Sequence, residues 1–517
     1  MIRVKNIKVP IFDDDIKKHT ALKLKINKNH ITSLKINKKS IDARRKNNLH
    51  YVYEVDVACQ NEVKFLKNKD VIITPIEEYK FNNFGTAKLE NRPIIIGSGP
   101  AGLFCAYILA QNNYKPIIIE RGEKIEDRIK TVNKFWQENI LNENSNVQYG
   151  EGGAGTFSDG KLNTLVKDKN FRMKKVFETF VKMGAPKEIL YEAKPHIGTD
   201  VLKDVIVNLR KEIVKLGGTF KYNTFMSDIN VSDKIETIKI NDKTINTNVL
   251  VLAIGHSSRD TYKMLYEKGV AMSPKPFAVG IRLQHPQELI NKAQYGNINL
   301  PPASYKLTYN NKSRGIYTFC MCPGGYVINA SSEQKKLAIN GMSNYKRDSK
   351  IANSAIIVTV SPQDFGFHPL DGIKFQRKLE ENAYKKGNGK IPAQNYNDFK
   401  KGIPSTTIIG KHAFKGEYMP CDINDIYPKY ITDALKEAID YFGTKIKYFN
   451  SDETVIAACE SRTSSPVRIQ RDENFETNIK GIYPCGEGSG YAGGITTSAM
   501  DGIKVAEAIM QKYSNFK

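Results

Sequence analysis

Hydrophobic positions divide the chain into stretches of different rhythm. Residues 1–88 alternate short apolar runs, Ile2 to Val9, Ala21 to Ile26, His30 to Ile36, Leu49 to Val57 and Val71 to Pro75, with polar turns. Within them Tyr51-Val-Tyr-Glu-Val-Asp-Val57 alternates at period two, the mark of a strand with one face buried. The pattern predicts a small α+β module of strands with one or two short helices. From Pro93 the rhythm becomes strand, glycine turn, helix, strand, as in a parallel α/β sheet. Residues 263–452 read as mostly β, with helical stretches near 374–386 and 431–442, and the last sixty-odd residues return to strand, glycine-rich turn and helix. The predicted organisation is an N-terminal module (1–88), a discontinuous Rossmann-like α/β domain (91–262 and 453–517) and an inserted, mostly β substrate domain (263–452).

Composition narrows the class. With 517 residues, 40% apolar and 26% charged, the chain is long enough for several cores and is neither disordered nor fibrous. Seven scattered cysteines do not form a disulfide framework, and the most apolar runs are strand-length, so a cytoplasmic protein with no membrane partner is expected. The net charge of +23 is mostly Lys in a chain also rich in Asn, a bias of composition before it is a binding surface. Residues 1–90 nevertheless carry nineteen Lys and Arg against eleven Asp and Glu, about twice their share of the excess. An anionic partner, nucleic acid included, is therefore kept as the weaker alternative.

The strongest local motif is Ile94-Ile-Ile96 followed by Gly97-Ser98-Gly99-Pro100-Ala101-Gly102 and the helical run Leu103 to Gln111. The first glycine permits a tight turn, the second lets backbone approach a pyrophosphate and the third lets helix pack on strand. The helix N-terminus then offers unpaired N–H groups to the anion. A second strand, Pro116 to Ile119, ends in Glu120, eighteen residues after Gly102, close to the spacing at which a carboxylate meets a ribose diol. Together these predict an adenine dinucleotide, and Glu120 disfavours a 2′-phosphate beside it.

Three further segments decide which dinucleotide. Ile117-Ile-Ile-Glu-Arg-Gly122, Val249-Leu-Val-Leu-Ala-Ile-Gly255 and Gly481-Ile-Tyr-Pro-Cys-Gly486-Glu487 are similar to motifs of the glutathione-reductase-like FAD/NAD(P)-binding superfamily. Asn146 to Leu162, Lys194 to Asp200 and Glu460 to Arg468 resemble uncharacterised bacterial FAD-dependent dehydrogenases with an extra N-terminal module. The resemblance implies FAD as cofactor, with Glu120 on the adenosine ribose, Glu487 on the ribityl chain, and the helix after Gly494 and Ile495 pointing at the pyrimidine end of the flavin. A reduced flavin gains from that helix dipole. In the superfamily Asp is commoner than Glu at position 487. No second G-x-G-x-x-G provides a separate nicotinamide site, so NAD(P)H would dock transiently.

Candidate chemistry gathers around these motifs. Gly150-Glu-Gly152-Gly153-Ala-Gly155 can wrap a flavin or pyrophosphate with backbone N–H groups, Thr156, Ser158 and Lys161 adding donors. Arg121 and Arg128 are candidate adenine or pyrophosphate contacts, and Gly255 and Gly486 tight turns against the cofactor. Catalytic candidates are His196, Glu151 and Lys161, with His256 and His285 further candidates, since flavin chemistry at carbon calls for an acid or base titrating near neutrality. Cys320-Met-Cys322 is expected to hold buried, unpaired thiols, because one intervening residue strains a disulfide. Arg462 and Arg468 suit an anion or an interdomain salt bridge. No Cys/His set has zinc spacing, so no metal is expected. The expectation is a flavin oxidoreductase moving a hydride between FAD and a small organic substrate. The alternatives are an RNA-modifying flavoenzyme, suggested by Arg44, Arg45, Tyr51 and Tyr53, and a noncatalytic FAD sensor or scaffold.

Overall fold

The computed structural model describes residues 1–46 and 48–516. At the N-terminus four antiparallel strands pair in the order Ile31–Asp42, His50–Cys59, Ile2–Pro10, Val71–Ile73. The helix Ile16–Leu24, capped by the Asp15 side chain on the Lys18 amide (2.9 Å), buries Thr20, Ala21 and Leu24. Tyr53, Val55 and Val57 face this core as their alternation predicts. Asp56 breaks the pattern: it is buried because Arg3 reaches it with Nε–Oδ1 at 2.8 Å.

The second unit holds a five-stranded, all-parallel sheet, in the order Ile482–Pro484, Leu250–Leu252, Ile94–Ile96, Ile117–Ile119, Thr219–Lys221. Such a sheet is covered on both faces, and its strands are correspondingly short apolar runs. The helix Pro100–Gln111, nearly all of it buried, lies against the C-terminal helix Ile495–Lys512. The two approach so closely that a Cβ at Gly502 would stand 2.1 Å from the Ala101 carbonyl oxygen. The antiparallel strands Met226–Val231, Ile235–Ile240 and Lys243–Asn246 form a side sheet.

The third unit is built on a seven-stranded sheet, ordered Thr308–Asn310, Gly315–Cys322, Ile351–Val360, Phe277–Pro286, Val455–Glu460, Ile391–Asn395, Tyr418–Pro420. Ile351–Val360 and Phe277–Pro286 pair along ten residues and are almost wholly buried. The helices Asp371–Lys386 and Lys429–Gly443 pack on this core, where helical stretches are expected. Val455–Glu460 differs from the sequence pattern, which assigns it to the last piece of the Rossmann-like domain: it pairs with Phe277–Pro286 and Ile391–Asn395. A buried apolar strand carries no mark of which of two sheets it will join.

His285 lies inside this core and not at any cleft, which removes it from the catalytic candidates. It is 2% exposed, its Nε2 is 2.8 Å from the Phe449 carbonyl oxygen, and Nδ1 has no partner among the described residues. Burial lowers its pKa to about 4. The neutral ring is thus favoured by folding, and the unfolded chain binds a proton first as pH falls below about 6.5. Stability should decline by about 3 kcal/mol between pH 6.5 and 4 from this group. His285→Gln should flatten that part of a urea-denaturation pH profile.

Candidate functional site

One cavity of about 1100 Å³ runs from the Gly97 turn to the seven-stranded sheet, between the second and third units. Gly97 adopts φ +100°, and a Cβ there would lie 2.3 Å from the Ala253 carbonyl oxygen, so only glycine fits the turn between the two central strands. Gly99 caps the helix Pro100–Gln111, and Gly99, Pro100 and Ala101 line the cavity. Gly102 lies behind them: a Cβ would stand 1.9 Å from the Gly97 carbonyl oxygen, so its absence lets helix and turn meet. Ser98 is fully buried and acts on the neighbouring carboxylate.

Glu120 ends its strand at the cavity wall and draws the turn together. Its Oε2 accepts from the Ser98 amide (2.9 Å) and hydroxyl (2.8 Å), and its Oε1 from the amides of Gly122 and Gly150 (both 3.0 Å). Arg121 lies beside it, paired with Asp260 at 2.7 Å and stacked 4.1 Å over the Phe225 ring.

Arg128 does something other than meet a ligand. It is fully buried behind the glycine loop and donates to five carbonyls, those of Asn146, Val147, Gly150, Glu151 and Gly153, at 2.6–3.2 Å. Burial lowers its pKa to about 10, still a cation at neutral pH. The loop it holds presents Gly150, Gly153 and Gly155 to the cavity, whereas Gly152 and Thr156 face inward, their contact leaving only 2.2 Å for a Cβ at Gly152.

Two of the three catalytic candidates also point away. Glu151 is fully buried and accepts from the Ile125 amide (2.9 Å), Arg210 Nη1 (2.8 Å) and the Tyr222 hydroxyl (2.7 Å). Burial raises its pKa, and those donors and the Arg210 charge oppose the shift. His196 stacks on Tyr345, with Nε2 3.0 Å from that residue's carbonyl oxygen, and burial followed by the Arg347 charge pushes its pKa down. Both are parts of the frame. Lys161 does line the cavity; its Nζ bonds to the Met321 carbonyl oxygen and lies 3.8 Å from Asp159.

At the opposite wall Gly255, at φ +66°, would have nothing within 4 Å of a Cβ, an opening a larger residue would fill. His256 follows it, with Nδ1 2.7 Å from Glu487 Oε2. His256 Nε2 and Glu487 Oε1 are both buried without a partner among the described residues, and both residues line the cavity. Gly486 forms the turn before Glu487, its amide bound to Asp501 at 2.8 Å. Gly494, the cap of the helix Ile495–Lys512, and Ile495 complete this wall, so two helix N-termini converge on one space. Orphaned polar atoms, side-chain-free glycines and paired helix N-termini fit a dinucleotide carrying a flavin.

The third unit adds Thr318, Cys320 and Glu460 to the cavity. Cys320, at φ +41°, opens into it, contrary to the burial expected, whereas Cys322 is buried with Sγ 3.2 Å from the Cys320 carbonyl oxygen; all seven thiols are free. Arg462 reaches the cavity edge as part of a buried cluster: Glu380 binds Arg259 at 2.7 Å and Arg462 at 2.9 Å, and Arg462 also donates to Ser257. Arg468 does not line the cavity and lies over Tyr491. Glu380 carries no sequence signal, being one acid in a charged helix.

The cavity and the parallel sheet are those of an FAD-dependent protein, and the family models agree. Residues 276–463 match the family described as FAD-dependent protein, C-terminal domain-like; residues 95–150 match the NAD(P)-binding Rossmann-like domain; residues 1–58 match a domain of unknown function. The chain is 46% identical to an uncharacterized protein of Clostridium beijerinckii (strain ATCC 51743 / NCIMB 8052), over 99% of both chains, and belongs to its family. Among solved structures it is similar to L-proline dehydrogenase from P. horikoshii (12% identity, 82% of this chain and 94% of that one, TM-score 0.38). It is likewise similar to glycine oxidase from Geobacillus kaustophilus (10% identity, 82% and 96%, TM-score 0.36). FAD is the cofactor. No helix among the described residues is long and apolar enough to cross a membrane.

Proposed function

We propose that the chain is an enzyme of glutathione-reductase-like ancestry that transfers a hydride between bound FAD and a small organic substrate held between the second and third units. The observation that carries this reading is the single cavity joining the Gly97 turn to Cys320, lined by His256 and Glu487, whose Nε2 and Oε1 are buried without partners among the described residues. At about 1100 Å³ it exceeds the ~300–1,000 Å³ usual for one small ligand.

The Gly97–Ala101 turn would take the pyrophosphate, Glu120 the adenosine ribose and Glu487 the ribityl chain, with Gly494 and Ile495 at the pyrimidine end. Bound FAD supplies hydride acceptance and donation. The protein orients the reactants and excludes water. Lys161 offers a fixed cation and a proton at Nζ. His256 is positioned by Glu487 through Nδ1, which leaves Nε2 buried and without a partner among the described residues beside the cavity its ring lines.

The test is the visible spectrum of the purified protein during anaerobic addition of NADH and then NADPH. A bound yellow flavin bleached by either is the expected result and makes NAD(P)H a transient donor. Flavin that stays oxidised with both moves electron entry to the substrate, and a protein that holds no FAD after reconstitution overturns the reading.

A further inference from the structure

The cavity end beside Lys194 is rich in cations: Lys39, Lys161, Lys306 and Arg347 line the cavity with it, against the carboxylates of Asp159, Glu192 and Glu460, and Arg44 lines it already paired with Asp42. Asp159 is already committed, accepting from Arg347 Nη2 at 2.7 Å and from the Ser343 hydroxyl. Among the described residues Lys194 Nζ has only the Ser304 hydroxyl as a partner, at 3.3 Å. Burial lowers its pKa, and the charges that add to the shift are Lys161 and Arg347, both cations. Like charges held together in a partly desolvated space repel unless an anion sits among them. Tyr305, 8% exposed, adds a buried hydroxyl on the same cavity with no partner among the described residues.

The N-terminal module builds part of this end. Its strand Ile31–Asp42 docks on the segment just before Lys194: the Lys39 amide donates to the Tyr191 carbonyl (2.7 Å), and the Ala193 amide to the Lys39 carbonyl (2.9 Å). Lys39 Nζ lies 4.6 Å over the Tyr51 ring, and both line the cavity. Tyr51 and Arg44 therefore look onto the cavity, and Tyr53 is 7% exposed. Tyr51 is half-buried and Tyr53 buried, so neither offers the open ring on which single-stranded RNA stacks, while Arg44, Arg45 and Lys46 are exposed.

We propose that the substrate is a small carboxylate- or phosphate-bearing anion whose acidic group is held by Lys194, with the Asp159-paired Lys161 and Arg347 beside it, and that the N-terminal module is the wall closing this anion site. The inference rests on the flavoenzyme reading for the role of the ligand as substrate, while the anion site stands on the cavity alone.

The test titrates the full-length, FAD-loaded protein with inorganic phosphate and, separately, with succinate, following flavin absorbance and heat. One of the two should saturate at one equivalent, and which one does separates phosphate from carboxylate substrates. Lys194→Gln should weaken that binding about tenfold, the scale of one charge-assisted contact, with FAD content unchanged. Lys161→Gln should weaken it in the same sense should Lys194→Gln fail to fold, and the surface variant Lys263→Gln should bind as wild type. Failure of both anions to saturate, or unaltered binding by the folded variants, overturns the proposal. Tight binding of a single-stranded RNA oligonucleotide with neither small anion overturns it in favour of nucleic acid. A protein that takes up no FAD but binds phosphate through Lys194 would leave the anion site standing and remove the flavoenzyme reading.

Discussion

Glu380→Gln should destabilise the protein by about 3–5 kcal/mol, because it removes the counter-charge shared by two buried guanidinium groups and leaves Arg259 only the longer pair with Glu333 at 3.4 Å. Glu380 is fully buried on the helix Asp371–Lys386 of the third unit, and it binds Arg259 of the second unit through both oxygens (2.7 Å each). Arg462 and the Ser461 hydroxyl occupy its remaining acceptor positions. Burial alone would raise its pKa, but Arg259 and Arg462 outweigh it and hold the carboxyl far below the usual range. A depressed folded pKa means that the stabilisation is present above the unfolded value, about 4.3, and is lost as pH falls toward the folded one. The variant should therefore lose stability at pH 7 and show a shallower acid limb in urea denaturation. Replacing all three charges by Leu and Met should recover most of the loss, since well-packed apolar residues often replace buried ion clusters at little cost. A triple variant as unstable as the single one would show that packing, not charge, carries the effect.

Arg128→Met should be comparably severe and should also strip the cofactor. The change leaves five loop carbonyls without their shared donor, a loss of about 3–5 kcal/mol at about 1 kcal/mol each. Its particular signature is flavin retention: the Gly150–Gly155 loop has lost its anchor, so protein dialysed after reconstitution should come out colourless. Arg128→Lys keeps the charge but reaches fewer carbonyls, and should fall between the two. Full flavin retention by a folded Arg128→Met protein would contradict the anchoring role.

Sequence made some of this legible and hid the rest for identifiable reasons. The Gly97 turn and Glu120 are readable because strand, glycines, helix and acid act within thirty residues, although Gly97 is required by Ala253 far along the chain and only Gly102 by its own turn. Glu151 and His196 occur in equally distinctive motifs, yet both turn inward, because their direction is set by Tyr222, Arg210 and Tyr345, distant in sequence. Arg128 was legible as important but not as a frame residue, since nothing local tells a guanidinium whether it will meet phosphate or carbonyl oxygens. The His256–Glu487 pair spans 231 residues and exists only once the parallel sheet brings its strands together.

That sheet also dictates an order of assembly. Its strand Ile482–Pro484 joins Leu250–Leu252 from the other end of the chain, and Tyr114 closes the seam through its hydroxyl on the Tyr513 carbonyl oxygen, 2.6 Å away. Until residue 484 has left the ribosome, the edge of Leu250–Leu252 lies bare, and no wall bearing Glu487 or Gly494 exists. The N-terminal module and the inserted unit can reach their own cores during synthesis, whereas the flavin cavity is completed only once residues 482–498 have been made. Cofactor capture is thereby deferred until that strand is made, and a ribosome stalled before residue 484 would leave a chain with two finished cores and an unpaired parallel strand, the kind of edge that invites aggregation.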